Sequence, residues 1–273
     1  MRIVYPHQLD FMDNYIEANR ALWNAKTPHH LESEFYDNES FVDGRNALME
    51  IELALLGEVK GKSILHPQCH FGQDSLSLVR MGAEVTGVDL SDEAIKAAQD
   101  LSSQTGLAAT FHQGNVLEMD QVLKGKTFDM VFTSYGTVGW LHDINLWARQ
   151  IARHLKPGGT FIFAEFHPVV WMFDDNFTQI TYPYLKADTI VEEIEGTYAD
   201  REAPIKNTSY SWNHGMSEVI QALLDAGLEL EVCQEFDYSP YDCFPNTVKS
   251  KKGYQIKGME GLIPMVYALK MKK

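Results

Sequence analysis

The segment from Ser63 to Asp89 contains the residues whose types and spacing point most clearly to chemistry. It predicts a short apolar strand, a tight loop at Gln68–Gly72, an amphipathic helix at Asp74–Met81, and a second apolar strand that ends on an acid. A carboxylate about 20 residues beyond such a loop stands where nucleotide-binding folds accept the hydroxyls of a ribose. The segment therefore predicts a ligand that contains a nucleoside.

Polar residues also follow the later predicted strands. Asn115 comes after the third strand, Ser134 and Tyr135 after the fourth, and Glu165 and His167 at the end of the fifth. Because ligands bind at the carboxyl ends of parallel strands, these side chains are candidates for a binding site. Tyr135 is expected either to line a substrate pocket or to cover the end of the sheet. His167 and Glu165 are candidates for a general base, and a structural hydrogen bond is an equal alternative for His167.

The elements that position these residues alternate between strand and helix. Such repeated units predict a doubly wound, mostly parallel sheet with right-handed crossovers. The predicted strands are Ser63–His66, Glu84–Asp89, Ala109–Gln113, Phe128–Ser134 and Thr160–Phe166, and the later helices are Asp92–Thr105 and Leu146–Leu155.

The two ends of the chain differ from this alternating core. Residues 1–57 are expected to form a helical cap, with one helix from Leu9 to about Ala25 that the Thr27-Pro-His-His stretch ends, and a second helix over about 46–56. Residues 58–273 are expected to form the main domain, with an antiparallel β insertion at about 168–213. A helix at 217–226 and strands at 228–236 and 263–271 complete the prediction.

Composition narrows the classes of partner and compartment. The formal net charge of -15 disfavours nucleic acid and anionic membranes as partners, and no apolar run is long enough to cross a bilayer. The three cysteines are scattered, which fits a reducing, cytoplasmic compartment and neither a disulfide framework nor a zinc site. Cys69 and His70 are adjacent and do not form a convincing metal site or Cys–His nucleophile, so no metal is expected.

Five landmarks in order resemble the class I S-adenosylmethionine-dependent methyltransferases. The resemblance covers roughly residues 60–273 and implies a seven-stranded sheet whose last strand is antiparallel, with S-adenosylmethionine as cofactor. The landmarks are the segments Ile64–Gly72, Val88–Ser91, Gly114–Val116, Phe128–Ser134 and Leu155–Gly159.

The same resemblance implies roles for individual residues. Asp89 would accept the ribose hydroxyls, and Asn115 with Val116 would contact the adenine. The family's first motif usually reads Asp-x-Gly-x-Gly-x-Gly, and this chain departs from it at His66, Gln68 and His70. The residues expected at the cofactor are Gln68, Cys69, His70, Gly72, Asp89, Leu90, Asn115, Val116 and Ser134, and those expected at the reacting group are His167 and Tyr135.

A loop with few glycines is compatible with this cofactor. Glycine permits positive φ and close backbone approach, which a pyrophosphate demands. The methionine end of S-adenosylmethionine instead carries a carboxylate and an amine, which backbone N–H groups and the start of the helix near Gln73 can bind.

The function expected is transfer of the sulfonium methyl group to a small-molecule acceptor. Methyl transfer needs mainly alignment and a dry pocket, and a base only where the acceptor holds its proton tightly. Two alternatives stay open from the residues alone. One is a non-catalytic S-adenosylmethionine-binding or partner module, and the other is an NAD-dependent oxidoreductase, against which the missing G-x-G-x-x-G loop counts. The oligomeric state does not follow from the sequence.

Overall fold

The computed structural model describes residues 8–273, with side chains from Tyr15 onward. Seven strands form one sheet in the order β3-β2-β1-β4-β5-β11-β8. These strands are β1 (Ser63–Pro67), β2 (Glu84–Asp89), β3 (Thr110–Gln113), β4 (Phe128–Ser134), β5 (Leu155–Phe166), β8 (Glu229–Phe236) and β11 (Val266–Lys272). The helices are α1 (Gln8–Glu32), α2 (Asn38–Val42), α3 (Glu50–Leu56), α4 (Gln73–Arg80), α5 (Asp92–Thr105), α6 (Asp120–Leu123), α7 (Ile144–His154) and α8 (Met216–Asp225).

The pairing of the strands confirms the predicted fold class. Strands β1 to β5 pair in parallel, whereas β11 runs antiparallel to both β5 and β8. The antiparallel last strand is therefore present as predicted. Strand β5 begins earlier than expected, at Leu155, because Leu155 pairs with Phe128 before the register shifts across the Pro-Gly-Gly sequence to the Met130–Thr160 pair.

Successive residues of the central strands alternate between two cores, one on each face of the sheet. On one face Phe161, Phe163 and Tyr267 pack with Trp147 of α7. On the other face the strand residues pack with helix α3 and with residues such as Tyr238 and Phe244. This alternation follows because successive side chains of a strand point to opposite faces of the sheet. It therefore determines the face on which each residue at the end of a strand lies.

Helix α1 corrects the prediction of a break at Thr27-Pro-His-His. The helix continues through Pro28 and ends at Glu32, and the Thr27 hydroxyl donates a hydrogen bond of 2.8 Å to the Trp23 carbonyl. Proline removes one backbone N–H and disfavours a helix interior, so contacts elsewhere must compensate. They come from β7 (Lys206–Ser211) and α5, on which α1 packs, and the Asn19 side chain exchanges two hydrogen bonds with the Tyr210 backbone.

The predicted insertion contains one hairpin. Strands β6 (Ile190–Glu195) and β7 pair antiparallel within the 168–213 segment. A second, unpredicted hairpin joins β9 (Thr247–Lys249) to β10 (Tyr254–Ile256) in what the sequence indicated as a loop. The second predicted helix is shorter than expected and begins at Glu50. The boundaries of the cap at 1–57 and of the main domain at 58–273 stay predictions.

No helix within residues 8–273 combines the length and the apolar character that crossing a membrane requires.

Candidate functional site

The loop between β1 and α4 keeps the backbone path of a glycine-rich loop without most of the glycines. Gln68 has a φ of 56°, His70 of 49° and Gly72 of 83°, so every second residue is left-handed. These are the motif positions where the family usually has glycine. Left-handed φ at a residue with a side chain costs about 1 kcal/mol, so the surroundings must hold the loop in place. A Cβ added to Gly72 would lie 2.8 Å from the Phe111 ring.

Asp89 fixes this loop to the end of β2. Its carboxylate accepts the backbone N–H of His70 at 2.8 Å and that of Ser91 at 2.9 Å. Burial raises the pKa of Asp89 to about 6, and the hydrogen bonds from Ser91 and His70 oppose that shift. Each carboxylate oxygen can accept a further hydrogen bond, so the carboxylate can still receive ribose hydroxyls. Leu90 lies beside it, half-buried, and its carbonyl accepts the Gln113 side chain at 3.1 Å.

The side chains of Gln68 and His66 form hydrogen bonds with other residues of the protein. The Gln68 amide donates to the Thr137 carbonyl at 2.8 Å, and its Oε1 is buried without a hydrogen-bond partner among the described residues. His66 contacts the Ser75 hydroxyl at 2.8 Å, and burial lowers the pKa of His66 to about 3, so it is neutral. A neutral imidazole therefore stands where the family's motif usually has a carboxylate.

His70 faces helix α1. Its Nε2 lies 2.8 Å from Nδ1 of His30, and burial lowers the pKa of His70 to about 3 and that of His30 to about 2. The Trp23 ring packs edge-on against His70 and against Trp140. Lys26 lies over the rings of both tryptophans. Helix α1 thus covers the predicted cofactor loop.

The remaining predicted cofactor residues surround the same edge of the sheet. The Asn115 side chain accepts the Leu117 N–H at 3.0 Å and starts a short 3-10 turn, while Val116 is buried in the core below it. Cys69 is buried, and burial followed by the nearby Asp89 charge raises the pKa of its thiol well above 9. The thiol is therefore protonated and packs as an apolar group.

Two carboxyl groups that sequence reasoning missed contact the residues at the end of β4, namely Asp74 of α4 and Glu52 of α3. The Ser134 hydroxyl donates to Asp74 at 2.9 Å, and the Tyr135 hydroxyl donates to Glu52 at 2.7 Å. Burial, with the charge of Asp74 second, raises the pKa of Glu52 to about 7. Glu52 also accepts the Met49 N–H and so caps the start of helix α3. A glutamate at this position of the sequence indicates the start of a helix, but it does not indicate a functional site.

Aromatic side chains from three distant segments meet at these carboxyl groups. Tyr241 packs edge-on against Tyr135, and Tyr36 shares a short hydroxyl–hydroxyl hydrogen bond with Tyr198. Burial first, and the Asp74 and Glu52 carboxyls next, raise the pKa of the Tyr241 hydroxyl well above 10. Tyr36, Tyr135, Tyr198 and Tyr241 are each half-buried, and we call this group the tyrosine cluster.

Glu165 is not placed to act as a base. Its carboxylate accepts the backbone N–H groups of Gly136, Thr137 at 2.7 Å, Val138 at 3.1 Å and Phe166 at 2.7 Å, together with the Thr137 hydroxyl at 2.7 Å. The side chain is 1% exposed. These hydrogen bonds occupy the lone pairs of the Glu165 carboxylate, so none is free for a substrate proton. They fix the conformation of the loop after β4.

The structure does not bring His167 and Tyr135 together. Nδ1 of His167 accepts the Val169 N–H at 3.2 Å, and Nε2 lies 3.0 Å from a Glu235 oxygen. His167 packs on Tyr267, which belongs to the α7 face of the sheet, whereas Tyr135 packs against the core on the opposite face. Both ring nitrogens of His167 have partners, so its role as a base stays a prediction.

Known proteins are similar to this chain in sequence and in fold. Residues 64–159 match a family described as a methyltransferase domain. A ubiquinone biosynthesis O-methyltransferase of Bordetella avium is 26% identical over 77% of this chain and 81% of its own length, and one of Proteus mirabilis is 34% identical over 38% of this chain and 42% of its own. An S-adenosylmethionine-dependent methyltransferase of Mesorhizobium loti superposes with a TM-score of 0.56 at 20% identity, over 85% of this chain and all of its own.

The expected landmarks and the seven-stranded sheet agree with these matches. The strand order, the antiparallel β11 and the acid at the end of β2 are what the resemblance implied. The comparisons support neither a nicotinamide cofactor nor a module without catalysis. The chain thus contains a methyltransferase domain at residues 64–159 and has the fold of the S-adenosylmethionine-dependent methyltransferases.

Proposed function

We propose that this enzyme methylates a small molecule held against the tyrosine cluster. The observation that carries the proposal is the position of Tyr135, which follows β4 and joins the tyrosine cluster to the buried carboxyl group of Glu52. Aromatic rings combined with a few polar groups are typical of the walls of small-molecule sites. The acidic surface of the chain, with a net charge of -15, supports the same class of acceptor over nucleic acid.

The residues around the β1–α4 loop fit the cofactor. Asp89 would receive the ribose hydroxyls, Asn115 and Val116 would contact the adenine, and the loop from Gln68 to Gly72, with Cys69, His70, Leu90 and Ser134 near it, would surround the rest. The unpartnered, buried Oε1 of Gln68 is an acceptor that a ligand amine can satisfy. When bound, S-adenosylmethionine supplies an activated methyl group on sulfur.

Oxygen is the acceptor atom that the relatives support. The matched Bordetella avium and Proteus mirabilis proteins are both named as O-methyltransferases. A hydroxyl must lose its proton as it is methylated, so the site needs a proton acceptor. We assign that role to Tyr135 and Glu52: Tyr135 Oη takes the proton of the acceptor hydroxyl while its own proton passes to Glu52 Oε2, along the existing 2.7 Å hydrogen bond.

Labelled methyl transfer tests the class of acceptor. The protein is incubated with methyl-labelled S-adenosylmethionine and a cell extract divided by size into metabolites, proteins and nucleic acids. We expect label in the metabolite fraction, and hydroxylated aromatic compounds then serve as defined acceptors. Label confined to protein or nucleic acid would refute a small-molecule acceptor, and methylation of nitrogen or sulfur in the product would refute the assignment of oxygen.

A further inference from the structure

Lys26 is a buried lysine that has no counterion among the residues whose side chains the structure describes. Its side chain lies on helix α1, is 5% exposed, and has its ammonium 5.0 Å from the centre of the Trp23 ring and 5.6 Å from that of Trp140. Among residues 15–273 no carboxylate pairs with it and no acceptor receives its hydrogens. Burial lowers the pKa of Lys26 to about 8, so the group is still mostly charged at pH 7.

A lysine whose side chain is buried and whose charge has no partner among the described residues is unfavourable, and an anionic ligand would stabilise it. Charges inside proteins are normally paired, because removal from water costs several kcal/mol. Two aromatic faces compensate part of that cost through cation–π attraction. His30 and His70 interact electrostatically with Lys26, and both are neutral, because burial lowers the pKa of each far below 7. The described residues therefore offer no anion to this ammonium.

A second polar group, Gln68 of the β1–α4 loop, contacts the loop after β4 that carries Trp140. The Gln68 amide donates to Thr137, and its buried Oε1 has no partner within the described part of the chain. Thr137 is three residues before Trp140, whose ring Lys26 covers. A cationic donor and a neutral acceptor thus flank one short segment beside the predicted cofactor loop. Together they complement a ligand that carries both a carboxylate and an ammonium group.

We propose that Lys26 and Gln68 bind the amino-acid end of the cofactor, with the Lys26 ammonium on the carboxylate and Gln68 Oε1 on the ammonium. The proposal rests on the cofactor site described under Proposed function. The proposal explains why the Gln68–Gly72 loop lacks two of the usual glycines. Side chains, rather than extra backbone N–H groups, would then bind the amino-acid end of the cofactor. Helix α1 becomes part of the cofactor site as well as its cover.

Two ligands that differ only at this end provide the test. S-adenosylhomocysteine carries the amino acid, and methylthioadenosine keeps the nucleoside and sulfur but lacks it. Binding of each is measured by calorimetry for the wild type, Lys26→Met, Gln68→Gly and the control Lys96→Met, which removes an exposed lysine from α5. Glycine suits position 68 because φ is positive there.

We expect Lys26→Met to weaken S-adenosylhomocysteine roughly 10- to 100-fold, as for loss of a charged hydrogen bond, and methylthioadenosine less than twofold. Gln68→Gly should weaken the first ligand by roughly three- to tenfold. Lys96→Met should change neither. Unliganded Lys26→Met should melt no lower than the wild type, because it removes an unpaired buried charge.

Equal weakening of both ligands, or no change for either, would overturn the assignment of Lys26. If Lys26→Met does not fold, Lys26→Gln replaces it in the same comparison. A wild type that binds neither ligand would instead reject the cofactor site itself, so the two proposals fail in different ways.

Discussion

Glu165 holds Thr137 twice, through hydrogen bonds of 2.7 Å from its backbone N–H and 2.7 Å from its hydroxyl to the same carboxylate oxygen. This contact joins the end of β5 to the loop after β4. The neighbouring Tyr135 has a φ of 29°, outside the regions that side chains favour. The carboxylate therefore maintains a strained loop that carries the residue we place at the acceptor.

Replacing Glu165 by Gln should be strongly destabilising. The amide would direct N–H donors at backbone N–H groups that now donate to a carboxylate. We expect a loss of about 2–4 kcal/mol in the free energy of unfolding, measured by urea denaturation, and a lower kcat in the fraction that folds. Glu195→Gln, which alters an exposed carboxylate paired with Lys206, is the matched control. Equal stability of the two variants would contradict this account of the loop.

The pKa of Glu52 predicts a pH-dependent stability. The folded pKa of about 7 exceeds the ordinary value of 4.5, so the folded state holds this proton more tightly than the unfolded state. The contribution of this carboxyl is therefore full below pH 4.5 and is lost as the pH rises through 7, by about 3 kcal/mol in total.

Glu52→Gln should remove that loss. Relative to the wild type, the variant should gain free energy of unfolding between pH 5 and pH 8, whereas the exposed Glu58→Gln should not. Urea denaturation at the two pH values measures both. A constant difference between Glu52→Gln and wild type across this range would show that Glu52 ionises normally.

Asp89 should make cofactor binding sensitive to acid. Its pKa of about 6 means that it gains a proton in mildly acidic solution, and a protonated carboxyl is a poorer acceptor for ribose hydroxyls. The affinity for S-adenosylhomocysteine should be constant above pH 7 and fall up to tenfold per unit below pH 6. Asp89→Asn should bind weakly at every pH without that fall, and the exposed Asp92→Asn should behave as wild type. Calorimetry from pH 5 to 8 decides the matter.

Tyr135 and His167 offer rival routes for the proton of a hydroxyl acceptor. Tyr135→Phe removes the link to Glu52 and should lower kcat by roughly 100-fold with little change in cofactor affinity. His167→Asn should leave kcat nearly unchanged, because both nitrogens already have partners. In the wild type kcat should rise through about pH 7 as Glu52 ionises. The reverse ranking of the two variants would return the role of base to His167.

Gly87 should tolerate no side chain. A Cβ there would lie 2.7 Å from both the Cys69 sulfur and the Phe111 ring. Gly87→Ala should cost about 1–3 kcal/mol in the free energy of unfolding, as overpacking does. Gly139→Ala places its Cβ at 3.7 Å from the nearest atom, without positive φ, and should be nearly neutral. Thermal melting of both proteins tests the difference.

The fold followed from the sequence more readily than the site did. Hydrophobic runs are local, so they located the strands and the long helices. Pro28 misled the prediction because distant contacts hold α1 together, among them the Asn19–Tyr210 pair. Tyr36 and Tyr198 meet across 162 residues, and no local pattern contains that information. Lys26 was hidden for a related reason, since a lysine in a helix is ordinarily solvated.

The β1–α4 loop separates two requirements that a glycine signature usually combines. One requirement is a backbone path, and Gln68 and His70 meet it although they have side chains. The other is empty space against Phe111, which Gly72 of the loop and Gly87 of strand β2 provide. Only the second forbids every substitution, whereas the first leaves two positions of the predicted cofactor loop free to diversify. The side chains that this loop offers to the cofactor can therefore change without any change in the backbone path of the loop.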